Sequence, residues 1–482
     1  MSVLENLEPK SVFGFFEKIS SIPHGSHDCE RISNYLVDFA KERNLEVHQD
    51  SAWNVIIIKE ATEGYENAAP VIIQGHMDMV CEKTADSDFD FDNDGLKLMI
   101  DGDVITADGT TLGGDDGIAV AIGLALLDAD DIAHPRLEVV ITSDEEVGLL
   151  GAEAIDVSPL KGRKMINIDS EEEGIFTASC AGGVSASALL PVERESVSGQ
   201  KVRIVIDGLL GGHSGIEINK ERASANTLIA RVLYELQDTD FRVIELAGGQ
   251  KDNAICKLTK AEIVVSADKA GLVKEAVEKM SEIFKHEYRI PDPDVNASAE
   301  ILEEGEFSAL TAESTDRVLT YLMNSPQGVQ NMSKDIEGLV ETSLNMGALL
   351  LEENQMKAVY AVRSSAETRK TFIVNKLTSL VKALGGKIEL AGGYPGWEYR
   401  AQSALRDTAV SVYRKLYGKD PEIAAIHAGL ECGLFAGKMG PELDCISIGP
   451  DMTGVHTPDE TLSISSTKRV WEFIIEVLKE SK

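Results

Sequence analysis

Four short apolar runs set the strongest limit on how this chain can fold. They lie at residues 55–58, 71–73, 137–141 and 165–168, and segments with helical apolar spacing, such as 118–127, alternate with them. A run that is apolar throughout has no wet face, so each reads as a strand buried on both sides. Strands of that kind joined through helices build a largely parallel sheet with helices over both faces, an α/β domain. Residues 9–20 and 31–43 open the chain as two surface helices, with apolar positions at Val12, Phe13, Phe16 and Ile19 and then at Ile32, Tyr35, Leu36 and Phe39.

One such domain does not use up 482 residues, because single cores stop growing at about 250 to 300 residues. The texture changes near Val184, with strand 202–206, helix 223–236, strands 242–246 and 261–265 and helix 272–286. A related run follows: helix 315–323, strands 344–351 and 358–362, helix 371–384. This reads as an α+β domain of two similar halves without a clear sequence repeat. Gly392-Gly393-Tyr394-Pro395-Gly396 marks the crossing back, after which come helix 403–416, strand 445–448 and helix 466–478. The expectation is a first domain from residues 1–183 and 395–482, with a second inserted at 184–394.

A formal net charge of −35 speaks against nucleic acid and anionic membrane as partners, since both need Lys and Arg to replace their counterions. Hydrophobic content of 43% leaves enough apolar material for sizeable cores. The six cysteines, Cys29, Cys81, Cys180, Cys256, Cys432 and Cys445, show no paired spacing and read as reduced packing residues. The opening residues 1–8 carry neither a basic start nor an apolar run. A soluble cytoplasmic protein is expected.

The polar residues that matter fall at strand ends. Run 71–73 leads into Gln74-Gly75-His76-Met77-Asp78. A His and an Asp two apart in extended chain point the same way, so His76 can bind a metal while Asp78 fixes its tautomer. Thr111-Leu112-Gly113-Gly114-Asp115-Asp116-Gly117 leads into helix 118–127; Asp116 is the better candidate for the helix N-cap, which leaves Asp115 free to bridge two cations. Run 137–141 ends at Asp144-Glu145-Glu146, run 165–168 at Asp169, and strand 445–448 leads to His456. Three adjacent acids at a buried strand end repel one another unless cations balance them. Carboxyl ends of strands are where open α/β sheets build their sites. Each element alone has an ordinary structural reading; together they supply two imidazoles and enough acids for two metals.

Asp90-Phe91-Asp92-Asn93-Asp94-Gly95, closed by Asp101, approaches a calcium-loop pattern. No amphipathic helix flanks it, the last acid is Asp rather than Glu, and 98–106 reads as a hairpin, so an acidic surface loop is preferred.

Five segments together resemble the aminoacyl-histidine dipeptidase family (peptidase D, Xaa-His dipeptidase) of dinuclear zinc metallopeptidases. They are Gly75-His76-Met77-Asp78-Met79-Val80, Thr110-Thr111-Leu112-Gly113-Gly114-Asp115, Asp144-Glu145-Glu146-Val147-Gly148, Ile168-Asp169-Ser170-Glu171-Glu172-Glu173-Gly174 and His427-Ala428-Gly429-Leu430-Glu431-Cys432-Gly433. The resemblance implies a catalytic metallopeptidase domain at 1–183 and 395–482, a lid and dimerisation domain at 184–394, and a homodimer. It implies two divalent ions per chain, zinc first with Co2+ or Mn2+ as alternatives, held by His76, a bridging Asp115, Glu146, Asp169 and His456. Glu145 is then the general base and Asp78 the partner of His76; spacing alone does not say which of Glu145 and Glu146 faces a metal. His213, in Gly211-Gly212-His213-Ser214-Gly215, would stabilise the oxyanion, often across a dimer interface, while Asn253, Arg363 and Glu431 would hold the peptide. Arg363 suits a substrate carboxylate because guanidinium and carboxylate match bidentately. The implied reaction is hydrolysis of Xaa-His dipeptides, carnosine-like ones included. Alternatives are an amidohydrolase acting on N-acyl amino acids or tripeptides, or a metal-binding scaffold without catalysis.

Overall fold

The computed structural model describes residues 2–482; Met1, part of the opening segment read above, lies outside them. The chain divides into two compact units. The first holds the chain up to Ser179, Tyr399–Ala425 and Leu430–Lys482; the second holds Cys180–Glu398 and Ile426–Gly429. The short piece Ile426–Gly429, expected with the first domain, goes to the second because the Ala181 N–H donates to the Ile426 and Ala428 carbonyls at 3.2 and 3.0 Å.

In the first unit an eight-stranded sheet runs in the order Glu46–Gln49, Val55–Lys59, Leu137–Thr142, Val71–His76, Lys164–Asn167, Asp444–Ser447, Ile175–Cys180, Glu422–Ile426. Leu137–Thr142, Val71–His76, Lys164–Asn167 and Asp444–Ser447 are mutually parallel. Glu46–Gln49 with Val55–Lys59, Val55–Lys59 with Leu137–Thr142, and Asp444–Ser447 with Ile175–Cys180 pair antiparallel, so the parallel run is bounded on both sides. At one flank the reason is chain length: residues 50–54 are too few for the crossover that a parallel partner needs. Val71–His76 and Leu137–Thr142 have no exposed residue, as strands covered on both faces must. Helix Gly114–Asp128 is buried nearly all round, its Ile118, Val120, Ile122 and Leu124 joining Phe13, Phe16, Ile73 and Val139 in one core. Burying each such side chain contributes roughly 1.5–3 kcal/mol relative to exposure.

The hairpin read at 98–106 is present as Leu98–Asp101 and Val104–Ala107, with Asp101 opposite Val104. Asp101 is thus a strand residue. The Asp90 carboxylate is already engaged by the Asp92 N–H at 3.0 Å and the Asn93 side chain at 2.8 Å, a local turn.

The second unit has its own core and a nine-stranded sheet. Asn296–Leu310, Arg194–Asp207, Thr259–Val265 and Arg242–Gly248 form one side, and Val340–Leu351, Gln355–Ser364, Gly182–Pro191 and Lys387–Tyr394 the other, with Gly328–Met332 against Val340–Leu351. The two sides meet through Ala247 opposite Leu350 and Gly248 opposite Leu349. The two expected halves therefore share one sheet. Strand Asn296–Leu310 escaped the sequence reading because it is an edge strand rich in acids, with little of it buried.

Candidate active site

The central parallel strands bring their carboxyl ends together. His76 ends Val71–His76 and pairs in register with Thr142; Gln74 pairs with Asn167, two residues before Asp169. His76 is 1% exposed. Its Nδ1 lies 3.0 Å from the Asp78 carbonyl oxygen and 3.4 Å from the Asp78 carboxylate. With Nδ1 donating there, Nε2 is turned to Asp115 Oδ1 at 3.1 Å and Asp169 Oδ1 at 3.7 Å.

The other oxygen of Asp115, Oδ2, lies 3.2 Å from His456 Nε2, and the same nitrogen lies 2.9 Å from Glu146 Oε1. Asp115 thus stands between two imidazoles, one per carboxylate oxygen. Three groups of ligand atoms have the spacing of a metal cradle: His76 with Asp116 and Asp169, His76 with Glu145 and Glu146, and Asp115 with Glu146 and His456. A nitrogen and an oxygen bound to one zinc at tetrahedral angles lie about 3.3 Å apart. The separations here bracket that value, so the donor set fits a pair of divalent ions.

The charges lead to the same fit. Burial pushes Asp169 up to about 6 against the hydrogen bond from His76, and pushes Glu171 up to about 7, helped by the charge of Asp115. Burial also raises Glu145 well above the ordinary carboxylate range, opposed by His76 and reinforced by Asp169, Glu431 and Glu146. Hydrogen bonds to Asp115 and Glu146 lift His456 to about 10. Asp115 resists its own burial and stays below the usual range because both imidazoles donate to it. Protons do here what a cation would do: they hold imidazole and carboxylate together and relieve crowded acids.

One assignment changes. Asp116 is not the N-cap of its helix; it is wholly buried, and its Oδ2 accepts the His76 N–H at 3.2 Å while Oδ1 has no partner. The approach depends on Gly75, where a Cβ would stand 2.5 Å from that Oδ2. The helix start is capped instead by Glu460, which sequence reasoning missed. Glu431 is also wholly buried: Oε2 accepts from Thr142 Oγ1 at 2.7 Å and from Gln74 Nε2, and Oε1 has no partner. Burial pushes it up to about 7.

The remaining candidates belong to the second unit. Gly212–His213 pairs with Ala254–Ile255, and the exposed Asn253 precedes that strand. His213 Nδ1 accepts the N–H groups of Gly215 and Ile216 at 3.2 and 3.3 Å. An accepting Nδ1 leaves the proton on Nε2, a neutral donor, and burial with the charge of Arg363 lowers the ring's basicity. Arg363 is largely buried, gives one N–H to Tyr394 Oη at 3.1 Å and keeps its Nε unpaired. His427 entered the sequence reading only as part of a motif, without a role, and Asn345 not at all. His427 faces Ser343 Oγ at 2.7 Å and burial drives it down to about 3, so it is neutral. Asn345 clamps the turn carrying Asn253 through the Asp252 and Ala254 carbonyls, both at 2.8 Å.

The chain matches the model of peptidase family M20/M25/M40 over residues 72–480. It is 40% identical to the cytosol non-specific dipeptidase of Escherichia coli (strain K12), over 100% of this chain and 99% of that protein. The crystal structure of aminoacylhistidine dipeptidase from Vibrio alginolyticus superposes with a TM-score of 0.94 at 36% identity, covering 99% of this chain and 98% of that one. Aminopeptidase PepT from Bacillus cereus ATCC 10987, at 15% identity and a TM-score of 0.55 over 98% of this chain and 99% of that one, shares the fold. A match over residues 72–480, the span that holds His76, Asp115, Glu146, Asp169 and His456, makes this chain a member of peptidase family M20/M25/M40, and so a peptide hydrolase.

Proposed function

We propose that this chain hydrolyses dipeptides, favouring a C-terminal histidine, with two divalent ions, zinc first, held by His76, Asp115, Glu146, Asp169 and His456. The observation that carries the reading is Asp115, with one oxygen 3.1 Å from His76 and the other 3.2 Å from His456. The names of the Escherichia coli and Vibrio alginolyticus relatives support dipeptides as the substrate class. Bound there, such ions would polarise the scissile carbonyl and make a water acidic enough to attack near neutral pH.

Glu145 would take the proton of the attacking water and deliver it to the amide nitrogen as the C–N bond breaks. A carboxylate raised by burial and neighbouring acids is suited to hold a proton between those two steps. Asp78 keeps the His76 ring in one tautomer. His213, with its proton on Nε2, is a donor suited to an oxygen that gains negative charge, and Arg363 is suited to the peptide's terminal carboxylate. Assembly as a homodimer and residence in the cytoplasm belong to the same reading; among the described residues no helix is long and apolar enough to cross a membrane. A panel of Xaa-His and other dipeptides, tripeptides and N-acyl amino acids, run with metal analysis on one preparation, tests it. Turnover of N-acyl amino acids or tripeptides in preference to every dipeptide would overturn the substrate assignment.

A further inference from the structure

Glu460 is a buried carboxylate to which neither the ligand set nor the proton transfer gives a part. It stands at the mouth of helix Gly114–Asp128, where its Oε2 accepts the N–H groups of Leu112 at 2.8 Å and Gly113 at 3.2 Å. Its Oε1 accepts those of Gly114 at 2.8 Å and Asp115 at 3.4 Å. Four consecutive backbone donors around one carboxylate form an anion-binding concavity at a helix N-terminus, of the kind that elsewhere receives phosphate. Here the anion comes from the chain itself. A side chain at Gly114 would crowd it, with a Cβ 3.2 Å from Glu460 Oε1, while Gly113, where φ is +66°, would bring a Cβ 2.9 Å from Met79 Sδ. The Gly-Gly pair thus has a physical reason.

Glu460 is equally tied to the other side of the site. Its N–H donates to the Thr457 carbonyl at 3.1 Å, and the Thr457 N–H donates to Gly454 at 3.1 Å, closing the turn that contains His456. Its carbonyl receives the Thr106 hydroxyl at 2.9 Å. One residue therefore fastens the segment that presents Asp115 to the segment that presents His456.

We propose that Glu460 is a positioning residue: by holding the backbone of residues 112–115 against the His456 turn, it sets the separation of Asp115 and His456 and so the affinity for the bound ions. The inference rests on the metal reading of the site. Glu460→Gln keeps the size of the side chain but turns an NH2 group toward N–H donors, and Glu460→Asp keeps the charge but withdraws it by one methylene. Metal-free wild type and both variants are titrated with Zn2+ against a chromophoric chelator, and the melting of each metal-free protein is recorded.

Both variants are expected to bind zinc about 10-fold or more weakly, as loss of groups that orient metal ligands does elsewhere. Their metal-free melting temperatures are expected to stay within a few degrees of wild type. Wild-type zinc affinity in both variants overturns the proposal. So does lowered metal-free melting with unchanged affinity, which makes Glu460 a helix cap only, and so does failure of both variants to fold. Absence of zinc binding by wild type is a separate result and removes the metal reading itself.

Discussion

The carboxylate of Asp78 accepts the backbone N–H of Glu145 at 2.9 Å while lying 3.4 Å from the His76 ring. One buried side chain thus aims an imidazole and fixes the start of the acidic loop, since it also accepts the Glu146 N–H at 3.3 Å. Glu146 reaches His456; Glu145 is held among acids. Glu145→Gln is expected to keep two ions per chain and lose about 100- to 10,000-fold in turnover, whereas Glu146→Gln loses metal. Elemental analysis and kcat on the same preparations check this, and swapped phenotypes would reverse the two roles.

Metal removal should make stability depend on pH in a definite direction. Asp169 rises from 3.8 to about 6 and Glu431 from 4.5 to about 7 on folding, so these two groups bind more protons in the folded chain than in the unfolded one across that window. Their contribution to stability then falls as pH rises. His456, lifted from 6.5 to about 10, extends the fall above neutrality, because the stabilising proton is lost as pH passes its folded value. Saturating ions would replace the protons of Asp169 and His456. The gap in melting temperature between metal-bound and metal-free protein is therefore expected to widen from about pH 5 to about pH 8. A gap that narrows counts against the site as described.

Gly75→Ala puts a Cβ 2.5 Å from Asp116 Oδ2 and 2.4 Å from Ala119 Cβ, in a region with no room to give. Overpacking of this kind typically costs about 1–3 kcal/mol. The variant is expected to melt earlier and to hold less metal, since His76 moves with the strand. Denaturant unfolding beside metal analysis reads both effects; unchanged values in each would show that the helix can retreat.

In the proposed mechanism His213→Ala would remove a neutral donor that matters only once charge has developed on the substrate oxygen. Turnover should drop by about 100-fold or more with KM and metal content close to wild type. Steady-state kinetics separate the two constants. A comparable rise in KM with kcat preserved would make His213 a binding residue instead.

The first unit was legible where runs of Val and Ile end in His or acid, because buried strand and strand-end chemistry leave a local signature at His76, Glu146 and Asp169. Contacts across the chain left none. Glu460 meets Leu112 across 348 positions, and nothing in its own neighbourhood marks it as a cap. Asp116 was misread for the same reason: the local rule favours an N-cap, and a distant acid had taken that place. Cys432 and Cys445, without paired spacing, have their sulfurs 3.4 Å apart because a helix and a strand meet there. The edge strand Asn296–Leu310 was hidden by solvent on both sides of much of its length, which removes the apolar pattern that reveals strands.

Strand Asp444–Ser447 lies in the middle of the first unit's sheet, between Lys164–Asn167 and Ile175–Cys180, although the second unit's main segment, Cys180–Glu398, precedes it in sequence. A ribosome therefore releases both flanking strands long before the one that joins them, and His456 emerges later still. Until then the growing polypeptide has a divided sheet and lacks one of the candidate ligands. Hydrolysis by the proposed site would in this way have to wait for His456, and a chain cut before Asp444 is left with an open strand edge in the centre of its fold.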